Sequence, residues 1–270
     1  MSCYESAVSL ILANGVKTTR VRPFGEAEGR DESFASTRWT VVLGAGDSST
    51  ASAHAIGALS ELCQIYWRPL YAFLRKQGYE PEDAQDLTQD FFADLIKSRA
   101  YARADREKGH FRSFLLGALK HFIADARDRG QALKRGGGMI LVKLDDKAIA
   151  EAEAQIARAA KWQADAVYDR EWAASLVREA LDRLAQECAL AGKAELFCYL
   201  IPYLAAEVSA IPYEEMSRRS HRPVTTLRSD VARLRKRYRA VLREGVRDTV
   251  LEAADVDEEL RHLCGALAAA

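Results

Sequence analysis

Apolar residues return every three or four positions along most of this chain, and no stretch alternates with the period of two that a half-buried strand requires. The first sustained stripe is Leu59, Leu62, Tyr66, Leu70, Phe73 and Leu74. It predicts a helix kinked at Pro69 and stopped at Lys76-Gln77-Gly78. Pro81 suits the first turn of a second helix, and Glu82 and Asp83 suit its positive dipole end. That helix carries Leu87, Phe91 and Leu95 on one side. After a turn at Asp105 to Gly109, a third stripe runs through Phe111, Phe114, Leu115, Ala118 and Phe122. Trp172, Leu176, Ala180 and Leu184 form another, followed by Leu196, Leu200 and Leu204, with Pro202 and Pro212 as punctuation. The last pattern, PYEEMSRRSHRPVTTLRSDVARLRKRYRAVLREGV, reads as helix, short turn and long basic helix. Met216 on the first piece and Leu227, Val231, Leu234, Tyr238 and Val241 on the second would form its core seam. The expected fold is all-α, without internal repeats.

The breaks in these stripes divide the chain. Residues 1–35 hold no sustained period and are rich in Gly, Ser, Thr and Arg, so they are expected to be a disordered extension. Residues 36–135 form a first helical domain, closed by Gly136-Gly137-Gly138. No GxxxxGK[ST] accompanies these glycines, so they read as a linker and not as a phosphate loop. Residues 139–170 are rich in Ala, Glu, Lys and Gln, which predicts a partly helical linker over 136–170. A second domain spans 171–247, and 248–270 is a C-terminal tail.

Charge sharpens this picture because it is segregated. The 270 residues carry 39 basic and 39 acidic side chains, a formal net charge of zero. Yet Glu80 to Asp94 holds six carboxylates and no Lys or Arg, while Pro212 to Arg247 holds eleven basic residues against four acidic ones. Local sign decides which partners are attracted, so neutrality does not exclude nucleic acid. The five cysteines form no CxxC pair and are odd in number, which argues against a disulfide framework or a zinc site and fits a reducing cytoplasm. No apolar run approaches the roughly 20 residues of a membrane span. AVSLILANGV is short, follows Glu5 and lacks a basic leader, a poor signal peptide.

Three sets of residues could carry function. Asp83, Asp86, Asp90 and Asp94 share a helical face. Such a face can hold magnesium in an all-α nucleotide hydrolase, dock a protein, or simply be solvated. A metal site needs a second carboxylate helix opposite, and the acids at 151–187 are interspersed with bases. The scattered histidines and the absence of HExxH give no catalytic arrangement. The aromatic-basic helix has two readings: Phe111, Phe114 and Phe122 as core, or aromatics beside cations that hold unstacked bases. In the last pattern Arg218, Arg219, Arg222, Arg228, Arg233, Arg235, Lys236, Arg237 and Arg239 surround an apolar seam. A basic coiled-coil end is the bland alternative to a helix-turn-helix whose reading helix begins near Pro223.

EDAQDLTQDFF, GHFRSFLLGALKHFIADARDR and the basic helix-turn-helix follow one another in order, and the tail carries DVDEELRHLCGAL. From about Thr37 to Ala268 the chain resembles bacterial sigma-70 family initiation factors of the extracytoplasmic-function group. The resemblance implies two domains. The first, like region two, docks on the clamp helices of core RNA polymerase through Asp86, Gln89 and Asp90. It recognises and melts the −10 element through Arg112, Ser113, Phe114, Lys120, His121, Asp125 and Arg127. The second, like region four, meets the polymerase flap and binds the −35 element; helical spacing puts Thr225, Thr226, Arg228 and Ser229 near the start of its long helix, where base edges would be met, and Arg233, Lys236 and Arg237 farther along, toward the phosphates. Promoter DNA, core polymerase and an anti-sigma factor are the implied partners, with no catalytic residue, metal, cofactor or membrane. The chain departs from the family pattern at Phe114, where Trp is common, and at His121, a frequent Asn. Ser220-His221-Arg222-Pro223 replaces the usual Leu-Gly-Met-Ser turn, where Gly permits a positive φ and Ser caps the next helix. The rival classes are a stand-alone helix-turn-helix regulator and a metal-dependent nucleotide hydrolase.

Overall fold

A computed structural model describes residues 53–98, 110–128, 146–159, 161–204, 211–250 and 252–268. Among them every extended element is a helix, and the sole β-type pairing is an isolated antiparallel bridge between His110 and Val250. The all-α expectation is therefore met. The expected extension 1–35, the Asp105–Gly109 turn and Gly136–Gly138 lie outside the described residues. No helix among those described is long and apolar enough to cross a membrane.

The chain separates into two compact units. One contains the described residues of 53–175 together with 247–259. Its centre is α1 (Ala53–Lys76), against which α2 (Pro81–Ser98), α3 (Phe111–Asp128) and α4 (Asp146–Arg158) pack. Helix α1 continues through Pro69, ends at Lys76, and is followed by Gly78 at φ 92°. That left-handed conformation suits glycine and lets the chain reverse before Pro81 opens α2. Tyr66, Leu70, Tyr71, Phe73 and Leu74 of α1 are all buried, as are Leu87, Phe91, Phe92 and Leu95 of α2 and Phe111, Leu115 and Leu119 of α3.

Residues 146–158, expected in a linker, form a helix held on α1. Ala152 is fully buried. Arg68 donates to Glu151 at 2.9 Å, and Arg75 grips Glu153 through Nε at 2.6 Å and Nη2 at 3.1 Å. Tyr71 donates to the same carboxylate at 2.5 Å, and Lys76 Nζ reaches the Ala159 carbonyl at 3.1 Å. Alanine-rich sequence supplies helix propensity, and the cations and Tyr71 of α1, with the apolar contact of Ile156 and Ala159 on Ala72, give this helix a place to lie.

The other unit contains the described residues of 176–246 and 260–268. Its elements come from α5 (Ala164–Leu190), α6 (Ala194–Leu200), a 3₁₀ turn Ile201–Leu204, α7 (Tyr213–Ser220), α8 (Val224–Arg247) and α9 (Val256–Ala268). The division between units thus falls within α5 and again within α9. Helix α5 begins at Ala164, seven residues before the expected second domain.

Candidate functional site

Helix α7, a turn of three residues and α8 form a helix-turn-helix. Met216, Leu227, Val231, Leu234, Tyr238 and Val241 are all buried, so the expected seam is the real one. Burying that stripe turns the opposite side of α8 outward. His221 closes α7 at φ 53°, ψ 34°, the only positive-φ non-glycine among the described residues. The turn therefore keeps the left-handed geometry that glycine usually supplies, with histidine bearing the strain. Pro223 has no side-chain oxygen to cap α8, but its carbonyl accepts from the Leu227 amide at 3.0 Å. Ser217 Oγ donates to the Arg222 carbonyl at 2.6 Å, and Arg222 lies 3.6 Å from Asp230 on α8. These contacts hold the turn in place of the missing serine cap.

Thr225, Arg228, Ser229, Arg233 and Lys236 are exposed along one side of α8, and Thr226 is half-buried. Arg228 stacks on Tyr213 with 5.4 Å to the ring centroid, which braces it beside the turn. Arg233 donates to Asp230 within its own helix. Arg237 departs from the expectation. It donates to Glu187 through Nε at 2.9 Å and Nη2 at 2.6 Å, and to Glu244 at 3.4 Å. Its hydrogen bond to Glu187 raises the Arg237 pKa and holds the Glu187 carboxyl below its ordinary range. A guanidinium so paired links α8 to α5. Arg235 is likewise spent, with two donations to the Tyr203 carbonyl at 3.0 and 2.8 Å.

The acidic helix α2 buries Ala84, Leu87, Thr88, Phe91, Phe92 and Leu95 and turns the other side out. Asp86 and Gln89 are exposed and Asp90 is half-buried. Partial burial, and then the charge of Asp86, push the Asp90 carboxyl above its ordinary pKa. No cation among the described residues forms an ion pair with Glu82, Asp83, Asp86, Asp90 or Asp94, so this face has repulsion but no internal relief. Among the described residues no three His, Cys, Asp or Glu side chains converge as a metal cluster.

On α3 the expected residues divide. Ser113, Lys120, His121 and Asp125 are exposed, and Lys120 makes a 2.9 Å pair with exposed Asp165. Phe114 is half-buried against Phe111, with centroids 6.1 Å apart, and Phe122 against Phe91 at 5.8 Å. Arg127 lies in α3, its side chain outside the described residues. Arg112 is not displayed. Its Nε donates to Glu259 at 2.7 Å and its Nη1 to Asp169 at 3.2 Å, over the face of Trp172 at 5.3 Å. Burial lowers the Arg112 pKa, but the hydrogen bond and charge of Glu259 outweigh it and the net shift is upward. These partners are 57 and 147 residues away, so no local pattern announces them.

No protein-family model, curated protein or solved structure matches this chain.

Proposed function

We propose that this protein is a transcription initiation factor of the sigma-70 kind, which binds core RNA polymerase and directs it to particular promoters. The observation that carries the reading is the outward stripe Thr225, Arg228, Ser229, Arg233 and Lys236 on the second helix of a helix-turn-helix. Near the start of α8, Arg228 has the reach and the fork to pair with a guanine edge, worth about 1–3 kcal/mol of discrimination. Lys236 farther along neutralises phosphate without reading sequence. The same chain carries the carboxylates of α2, which meet no cation among the described residues, a surface a DNA-binding regulator does not need and a cationic protein partner would relieve. Asp86, Gln89 and Asp90 are then the polymerase contacts. The outward side of α3, with Ser113, Lys120, His121 and Asp125, would hold extruded −10 bases, whose unstacking costs a few kcal/mol per step. The protein supplies position and selectivity, and the polymerase supplies the chemistry.

The test is transcription by core polymerase on sheared genomic DNA with and without this protein. Promoter-selective transcripts that depend on it support the proposal. Tight duplex binding with no effect on core polymerase would instead mean a stand-alone regulator, and magnesium-dependent nucleotide turnover a hydrolase.

A further inference from the structure

The chain after α8 does not behave as a tail. Residues 247–259 belong to the same compact unit as α3. Thr249, Val250 and Val256 are buried, and Val250 forms the β-bridge to His110. The Thr249 carbonyl accepts from the Phe111 amide at 3.1 Å, and the Thr249 side chain hydrogen-bonds Tyr66. Phe111 is the first residue of α3, so this carbonyl satisfies one of the amides that a helix start leaves without an intrahelical partner. Glu259, 1% exposed, then brings its carboxylate to Arg112 in the same first turn. One Glu259 oxygen takes Arg112 Nε at 2.7 Å. The other lies 3.2 Å from His110 Nδ1 but without hydrogen-bond geometry, so both atoms are buried with no hydrogen bond.

A guanidinium held between carboxylates and stacked on an indole is satisfied as it would be by a phosphate and a base. We infer that residues 248–250 and 252–259 are an autoinhibitory latch over the start of α3, in which Glu259 occupies Arg112 in place of a nucleic-acid phosphate. His110 Nδ1 and the second Glu259 oxygen have no hydrogen-bond partner among the described residues, and release would withdraw Glu259 from Arg112 and the Thr249 carbonyl from the first amide of α3, leaving Asp169 and the Trp172 face beside the guanidinium. The inference rests on the DNA-binding reading of α3.

The experiment uses the full chain and fluorescein-labelled single-stranded DNA of mixed sequence, read by anisotropy. Glu259→Gln keeps the shape and removes the charge. It is expected to tighten binding by the inverse of the open fraction, ~10-fold for a latch open a tenth of the time. Adding Arg112→Ala to that variant should abolish the gain. A purely structural buttress would give Glu259→Gln lower stability and no gain, which would overturn the latch. Equal binding by wild type and variant removes the latch and leaves the reading standing, whereas no binding by either removes both. Should Glu259→Gln fail to fold, hydrogen exchange on the wild-type chain decides. Loss of protection at the Phe111 and Val250 amides on adding the DNA supports the latch, and unchanged protection with DNA bound refutes it.

Discussion

Lys236 and Arg237 are neighbours on α8, both expected from sequence to touch phosphate, and the structure gives them opposite fates. Lys236 is exposed on the outward stripe, while Arg237 is half-exposed and held in a fork by Glu187. Lys236→Ala should remove one phosphate contact. On duplex DNA that flattens the plot of log affinity against log salt by about 0.9, a loss of roughly fivefold, or ~1 kcal/mol, at 0.15 M salt. Arg237→Ala should leave that slope unchanged and cost stability instead. Exposed ion pairs contribute about 0.2–1 kcal/mol, and the two-pronged geometry with Glu244 and Arg183 nearby puts this pair at the upper end. About 1 kcal/mol corresponds to a fall in Tm of roughly 2–8 °C for a domain in this size range. The assay is anisotropy with a duplex of arbitrary sequence from about 50 to 300 mM salt, a roughly sixfold range over which the slope is read, with thermal melts in parallel. A reduced slope for Arg237→Ala with no change in Tm would refute the assignment.

The carboxylates of α2 should be separable from its fold: Asp86→Arg with Asp90→Arg is expected to abolish binding to core polymerase in a pull-down while leaving helicity unchanged. Because the Asp90 pKa is raised on folding, its contribution is favourable at low pH and lost as pH rises, so Asp90→Asn should raise Tm at pH 7. Conversely, Arg75 and then Tyr71 hold the Glu153 carboxyl below its ordinary range, though burial opposes them. That stabilisation is complete above the unfolded value of about 4.3 and vanishes as pH falls through the lower folded value. Protection factors of the α4 amides, corrected for the intrinsic exchange rate, should therefore fall below about pH 4, and Glu153→Gln should reproduce the effect at pH 7. At the turn, His221→Gly removes a left-handed penalty of about 1–2 kcal/mol against about 0.5–1 kcal/mol of added chain entropy. Calorimetry should show a higher Tm for that variant and a lower one for His221→Val.

The period of the apolar residues determined by itself that this chain is helical, that α2 starts at Pro81, and which face of α8 is buried. Those are local properties: a stripe at three and four must face a core whatever lies opposite, and Pro81, Gly78 and the residue at 221 act within a turn of the chain. Sequence also marked every candidate contact on the outward sides of α2 and α8, since exposure is the complement of the stripe. Only the tertiary structure decided which charged residues remain available. Arg112, Arg235 and Arg237 look like their free neighbours in sequence, yet each is spent on a carboxylate or carbonyl 32 to 147 residues away. The same holds for residues 146–158, whose alanines announce a helix but not the pairs with Arg68 and Arg75 that seat it on α1. It holds too for the segment after Arg247, whose place against α3 rests on the Phe111 amide, the Val250 bridge to His110, buried Thr249 and Val256, and the Arg112 guanidinium. Helical periodicity records the side on which a residue lies; its partner is fixed by which distant segment arrives there, and a pairing across the chain leaves no period to read.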